Sequence, residues 1–131
     1  MTLISLNIFT GCEEINIELC KNIGYSMTCF PNFFGHHTQA FAKKKFYDVA
    51  YLLECSPYIK EYLCSIYVPK CHPSRGPHLP CYSFTNYVSS KKSPECKDFD
   101  IPGRRQLYFM QFNLPPSDSF CYAPQINGEL Y

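Results

Sequence analysis

Residues 55–71 read CSPYIKEYLCSIYVPKC, three cysteines separated by eight and then six residues. Between the first two, Ser56 and Pro57 mark a helix start. A serine oxygen can satisfy an orphan backbone N–H as N-cap, and the fixed φ of proline suits the first helical position. Ile59, Tyr62, Leu63 and Ile66 then recur at three- and four-residue steps, and Pro69 ends the pattern. That is the inward stripe of a short helix, with cysteines before, within and after it.

The rest of the chain decides whether those sulfurs hold a metal or one another. Nine cysteines and eleven prolines, with no tryptophan, in 131 residues describe one domain of modest core held by covalent staples. Zinc sites announce themselves as paired CxxC, a spacing that occurs nowhere here, so no metal is expected and disulfides in an oxidising compartment are. A formal net charge of +1 supplies no field for nucleic acid or an anionic membrane. Lys43, Lys44 and Lys45 read as a solvated helix face. No apolar run reaches the roughly 18 residues that span a bilayer, so no membrane insertion is expected. The opening MTLISLNIFTG lacks a basic start and a cleavage site and is not read as a signal peptide. A module belonging to a longer secreted protein reconciles that with the cysteine content.

Working outward, Ala42, Phe46, Val49, Ala50 and Leu53 form an amphipathic stripe that predicts a helix from about Thr38 to Glu54. Residues 13–19, EEINIEL, alternate around Ile15, Ile17 and Leu19 and predict a short strand. KCHPSRGPHLP, residues 70–80, is a loop by its proline and glycine content, with His72 and His78 expected to be solvated. A shorter helix is expected over Ser83–Val88, with Phe84, Tyr87 and Val88 on one face, and RQLYFMQF, residues 105–112, reads as a strand. The predicted class is a small, mainly α, disulfide-rich domain with minor short-strand content.

Four words stand in order along the chain: CEEINIELC (12–20), GYSMTCFPNFFGHHTQ (24–39), CSPYIKEYLCSIYVPKC (55–71) and LPCYSF (79–84). Together they resemble the cysteine-rich domain of the Frizzled family. The family pattern runs through a cysteine pair, Y-N-x-T-x-x-P-N-x-x-G-H-x-T-Q, C-S-x-x-x-x-x-F-L-C-S-x-Y-x-P-x-C and P-P-C-R-x-x-C. The resemblance covers residues 12–96 well and Lys97–Phe120 poorly. It divides the chain into an extension (1–11), the domain (12–124) and a tail (125–131).

The family carries ten cysteines in five bridges. Carried over, the resemblance implies Cys12–Cys71, Cys20–Cys64 and Cys55–Cys96. The family's seventh cysteine falls on Thr85. PSDSFCYAP, residues 116–124, resembles W-P-x-x-x-x-C-x-x-F-P without its tryptophan, making Cys121 the ninth cysteine or a displaced tenth. Either assignment leaves Cys81 and Cys121 to pair, closing a loop of about 40 residues worth about 3–4 kcal/mol. Cys29 is then supernumerary. A buried free thiol is the favoured reading, with an intermolecular bridge and a reshuffled pairing as the alternatives. The family's glycosylation sequon has lost its asparagine to Ser26.

The resemblance implies binding of lipid-modified Wnt proteins, their acyl chain held in an apolar groove between helices and a protein loop gripped at a second patch. An acyl chain gains about 0.8 kcal/mol per buried CH₂, so such a groove needs apolar lining and no catalytic group. Position by position, the groove candidates are Cys29, Phe46, Tyr47 and Ile66, with simple core membership as the competing reading of each. The implied partners are a Wnt-like lipidated protein, a bound fatty acid in place of any cofactor, and a homodimer, at an extracellular or ectodomain location. A reading of a different class is an accessory interaction module of a mosaic, corin-like extracellular protein without lipid binding, which the lost W-P landmark and bridge favour. A cysteine nucleophile or metal site built from Cys29, His36, His37, His72 and His78 lacks recognised spacing, and no enzyme is expected. His36, at the family's G-H position, is expected to be hydrogen-bonded near a helix start.

Overall fold

Helix α2, Ile59–Tyr67, runs through the middle of the domain. Ile59, Tyr62, Leu63, Cys64, Ile66 and Tyr67 are all buried, so the helix is covered on nearly every side. Helix α1, Gln39–Asp48, packs on one flank and α3, Tyr82–Ser90, on another. The computed structural model describes residues 11–96, 101–106, 121–126 and 129–130. Short strands pair around the helices: β1 (Glu13–Glu14) with β2 (Met27–Thr28), and β3 (Cys71–His72) with β4 (Gly76–Pro77), both antiparallel. Strand β5 (Leu79–Pro80) runs parallel to β6 (Cys121–Tyr122), and β7 (Gln125–Ile126) is antiparallel to β8 (Glu129–Leu130).

The mainly helical, disulfide-rich class expected from the sequence is the class observed, but element boundaries differ. Only Glu13 and Glu14 of the expected 13–19 strand join a ladder. Ile15 and Ile17 still point inward at period two, after which a 3₁₀ turn over Glu18–Cys20 turns Leu19 outward. The expected 38–54 helix breaks at Val49, whose N–H bonds back to Phe46, and continues as a 3₁₀ turn over Ala50–Glu54. Tightening from 3.6 to 3 residues per turn rotates the stripe, so Leu52 is buried where Leu53 was expected.

Helix α2 does not use Ser56 as its N-cap. Tyr58 stands there in the left-handed region at φ 65°, while Ser56 Oγ donates to the carbonyl of Val88 at 2.9 Å and ties the helix start to the end of α3. Thr85, in place of the family's seventh cysteine, is buried and donates its hydroxyl to the Cys81 carbonyl one turn back at 3.0 Å. Of RQLYFMQF, residues 107–112 lie outside the described residues.

Tyrosine hydroxyls lash the segments together. Tyr25 Oη donates to the Val68 carbonyl and Tyr122 Oη to that of Ile23, each at 2.8 Å. Tyr62 Oη donates to the Pro102 carbonyl at 2.6 Å, seating Ile101 in the core. Beside it, Gly103 takes φ 77°, and a Cβ there would stand 3.0 Å from the Phe33 ring.

Candidate functional site: an aromatic face

The loop before α1 is organised by one side chain. Asn32 Oδ1 accepts from the N–H groups of Phe34 (3.0 Å) and His36 (2.9 Å), and its Nδ2 donates to the Tyr67 carbonyl at 2.9 Å. The same Nδ2 stands 3.0 Å from His36 Nδ1. The amide can only donate, so the imidazole accepts at Nδ1. Gly35 turns the loop at φ 78°, a conformation that favours glycine. Thr38 caps α1, its Oγ1 accepting from the Phe41 N–H at 3.2 Å. Gln39 Oε1 accepts from the Asn16 N–H, and its Nε2 donates to Glu13 Oε2 and the Glu14 carbonyl, each at 2.9 Å, docking α1 against β1.

This frame holds a run of rings at the surface. His36 meets Phe41 edge-on with centroids 4.8 Å apart, while Phe34 lies 5.0 Å from Tyr67 and 5.8 Å from His36. Beneath them Tyr67 touches Phe46 at 5.9 Å, and Phe46 meets Tyr47 at 5.4 Å. Of these rings Phe34, Phe41 and Tyr47 remain exposed, at 37%, 48% and 46%. Clustered exposed rings mark interaction surfaces more often than isolated ones do. A shallow depression of about 340 Å³ opens between Gly35, His36, His37, Thr38 and Phe41. Lys45 places its ammonium 5.4 Å from the Phe41 centroid at the rim. Burial, reinforced by the Lys45 charge, lowers the His36 pKa, so the ring is a neutral member of the surface. The face offers apolar area, a cation at its edge and one neutral imidazole.

The profile of the Fz domain matches residues 12–115, most of the chain and nearly all of its cysteines. The chain belongs to the Fz domain family. Drosophila melanogaster Frizzled is 43% identical over 127 residues, covering 86% of this chain and 22% of that protein. Caenorhabditis elegans Frizzled-2 is 42% identical over 86 residues, covering 63% of this chain and 15% of that protein. Human atrial natriuretic peptide-converting enzyme is 39% identical over 80 residues, covering 58% of this chain and 8% of that protein. The Fz domain thus spans less than a quarter of each of these relatives.

Within this Fz domain the four groove candidates separate. Tyr47 lies on the exposed face, and Phe46 is its fully buried floor. Ile66 and Cys29 have no accessible surface and belong to the core beneath. Phe34, Phe41 and Tyr67 complete the run of rings and were not singled out from the sequence. Their signal was Phe41 and Tyr47 falling off the Ala42–Phe46 stripe on the lysine side of α1.

His36 is hydrogen-bonded just before the helix, as its position implies. His72 accepts at Nδ1 from the N–H groups of Ser74 and Arg75, each at 3.1 Å. His78 is buried rather than solvated as expected, because β5 packs the end of the proline-rich loop against α2. Burial, with Lys70, His72 and Arg75 nearby, lowers its pKa to about 4. It lines a second depression with Pro31, Asn32, Phe33, Ser65 and Pro69.

Bridges join Cys20 to Cys64 and Cys55 to Cys96, two of the pairs the resemblance implies, and Cys81 to Cys121, the pair left over, with Cα separations of 5.5, 5.6 and 4.9 Å. Cys71 reaches Cys12, but it reaches Cys29 equally. Cys29 is buried, as favoured from the sequence, but it is not a lone free thiol: its sulfur is within bridging reach of Cys71, the reshuffled pairing among the alternatives.

Proposed function

We propose that this Fz domain is an extracellular, non-catalytic binding module that takes a lipid-modified, Wnt-type protein on the face built by Phe34, Phe41 and Tyr47. The uncovered run of rings over Tyr67 and Phe46 carries this reading. Apolar contact with an acyl chain gains about 0.8 kcal/mol per CH₂ removed from water, and rings provide that contact with little side-chain entropy to lose. The rim lysine suits a polar headgroup or an acidic loop of the protein ligand. Titrating the domain with a monoacylated Wnt and its deacylated form tests this. Binding of the acylated form that weakens at least tenfold on deacylation, and again in Phe41→Ser, supports it. Equal affinity for both forms contradicts it.

A second reading, an accessory protein-interaction module that binds no lipid, is favoured by the closure of the core beneath the face. Cys29, Phe46 and Ile66 offer no open slot. Under that reading a C16 monounsaturated fatty acid does not bind, while a folded protein partner still protects Phe41 and Tyr47.

A further inference from the structure

Three sulfurs meet at one end of the β1–β2 ladder. Glu13 pairs with Thr28, so the next residue on each strand, Cys12 and Cys29, stand opposite one another. An isolated antiparallel bridge between Thr28 and Lys70 brings Cys71 to the same place. The Sγ atoms of Cys12, Cys29 and Cys71 all lie within 4.8 Å of one another. Cys71 stands 5.8 Å from Cys12 and 5.4 Å from Cys29 by Cα, both ordinary separations for a disulfide. A sulfur makes only one such bond. The other six cysteines are paired elsewhere, so a bridge within this trio leaves one of its sulfurs without a partner among the nine cysteines.

The two arrangements differ in what they expose. Cys29 is fully buried, whereas Cys12 and Cys71 are partly accessible. When Cys12 is bridged, the thiol is Cys29, sealed in apolar surroundings that disfavour its thiolate. When Cys29 is bridged, the thiol is Cys12, at the surface.

We propose that Cys12, Cys29 and Cys71 form a disulfide-exchange centre that presents Cys12 as a site of covalent modification by an external disulfide. Cys29 gives up its proton, and its thiolate attacks Cys71 Sγ. The Cys12–Cys71 bond breaks, and Cys12 leaves as a thiolate that takes up a proton. One S–S bond is lost and one is made, with no net oxidation. Presented Cys12 thiolate then attacks an external disulfide of the glutathione type, forming a mixed disulfide at Cys12 and releasing one external thiol.

The full chain, purified without reductant, is incubated at pH 8 with iodoacetamide or with oxidised glutathione, and the products are mapped by mass spectrometry. Cys12 is expected to be the residue labelled, with Cys29–Cys71 as the accompanying bridge. Its labelling rate should become independent of iodoacetamide concentration at high reagent, because exchange limits it. Cys29→Ser fixes Cys12–Cys71 and should remove at least nine-tenths of the labelling. Cys12→Ser fixes Cys29–Cys71 and should do the same. Either variant that keeps the near-ultraviolet circular dichroism of the parent suffices. Label found on Cys29, no native-state label at all, or labelling that survives in Cys29→Ser overturns the proposal.

Discussion

Asn32 does more than any other single side chain to shape the site, since both ends of its amide are engaged and it is buried. Replacing it with alanine strands the Tyr67 carbonyl and the N–H groups of Phe34 and His36. Asn32→Ala should cost about 2–4 kcal/mol in urea unfolding, from the usual 1–3 kcal/mol for each buried group left unsatisfied. Loss below 1 kcal/mol would mean that the loop holds without it. By contrast, Phe41→Ser removes an exposed ring, and its stability should stay within about 0.5 kcal/mol of the parent while ligand affinity falls. The words P-N, G-H and T-Q were legible as landmarks, but their tasks were not. Hydrogen bonds from Asn32 to Tyr67 and from Gln39 to Glu14 span 35 and 25 residues, and no local pattern announces such partners.

At the scale of elements, α2 was legible because its apolar residues recur so regularly, and its burial makes it the most sensitive element. Leu63→Ala should cost about 2–5 kcal/mol, a fully buried leucine having little room for its surroundings to collapse. Equilibrium denaturation measures it, and a change near zero would place Leu63 outside the core. Helix α1 was legible in its stripe but not in its end. Nothing in Val49–Ala50 marks the change to a 3₁₀ turn, which follows from tethering Cys55 to Cys96 and from the Ser93 N–H donating to the Cys55 carbonyl at 2.7 Å. Ser56 and Pro57 looked like a helix start, yet tertiary contact with Val88 claimed the serine hydroxyl. The exposed rings were hidden for a related reason. Periodicity finds the inward side of a helix, and the functional surface lies on the other side.

The whole molecule is a set of short elements held by bridges and by buried tyrosine and histidine contacts, and this sets its response to acid. His78 has a native pKa of about 4 against 6.5 when exposed, and that of His36 is also lowered. Between those values the unfolded chain binds the proton first. Stability is therefore complete above about pH 6.5 and declines as pH falls toward 4. Urea midpoints measured across that window should fall, and His78→Gln should flatten the fall; a flat profile in the parent would contradict the burial of His78. Cysteine order made the fold and the three outer bridges legible, whereas the trio at Cys71 was not, because strand register rather than spacing brings Cys29 there.

The central claim is that the aromatic face over α1 is the ligand surface, and amide and aromatic NMR shifts during titration with a C16 monounsaturated fatty acid test it most directly. Shifts concentrated at Phe34, His36, Phe41 and Tyr47 are the predicted result. Shifts confined to the depression beside His78, or none at saturating ligand, would contradict it.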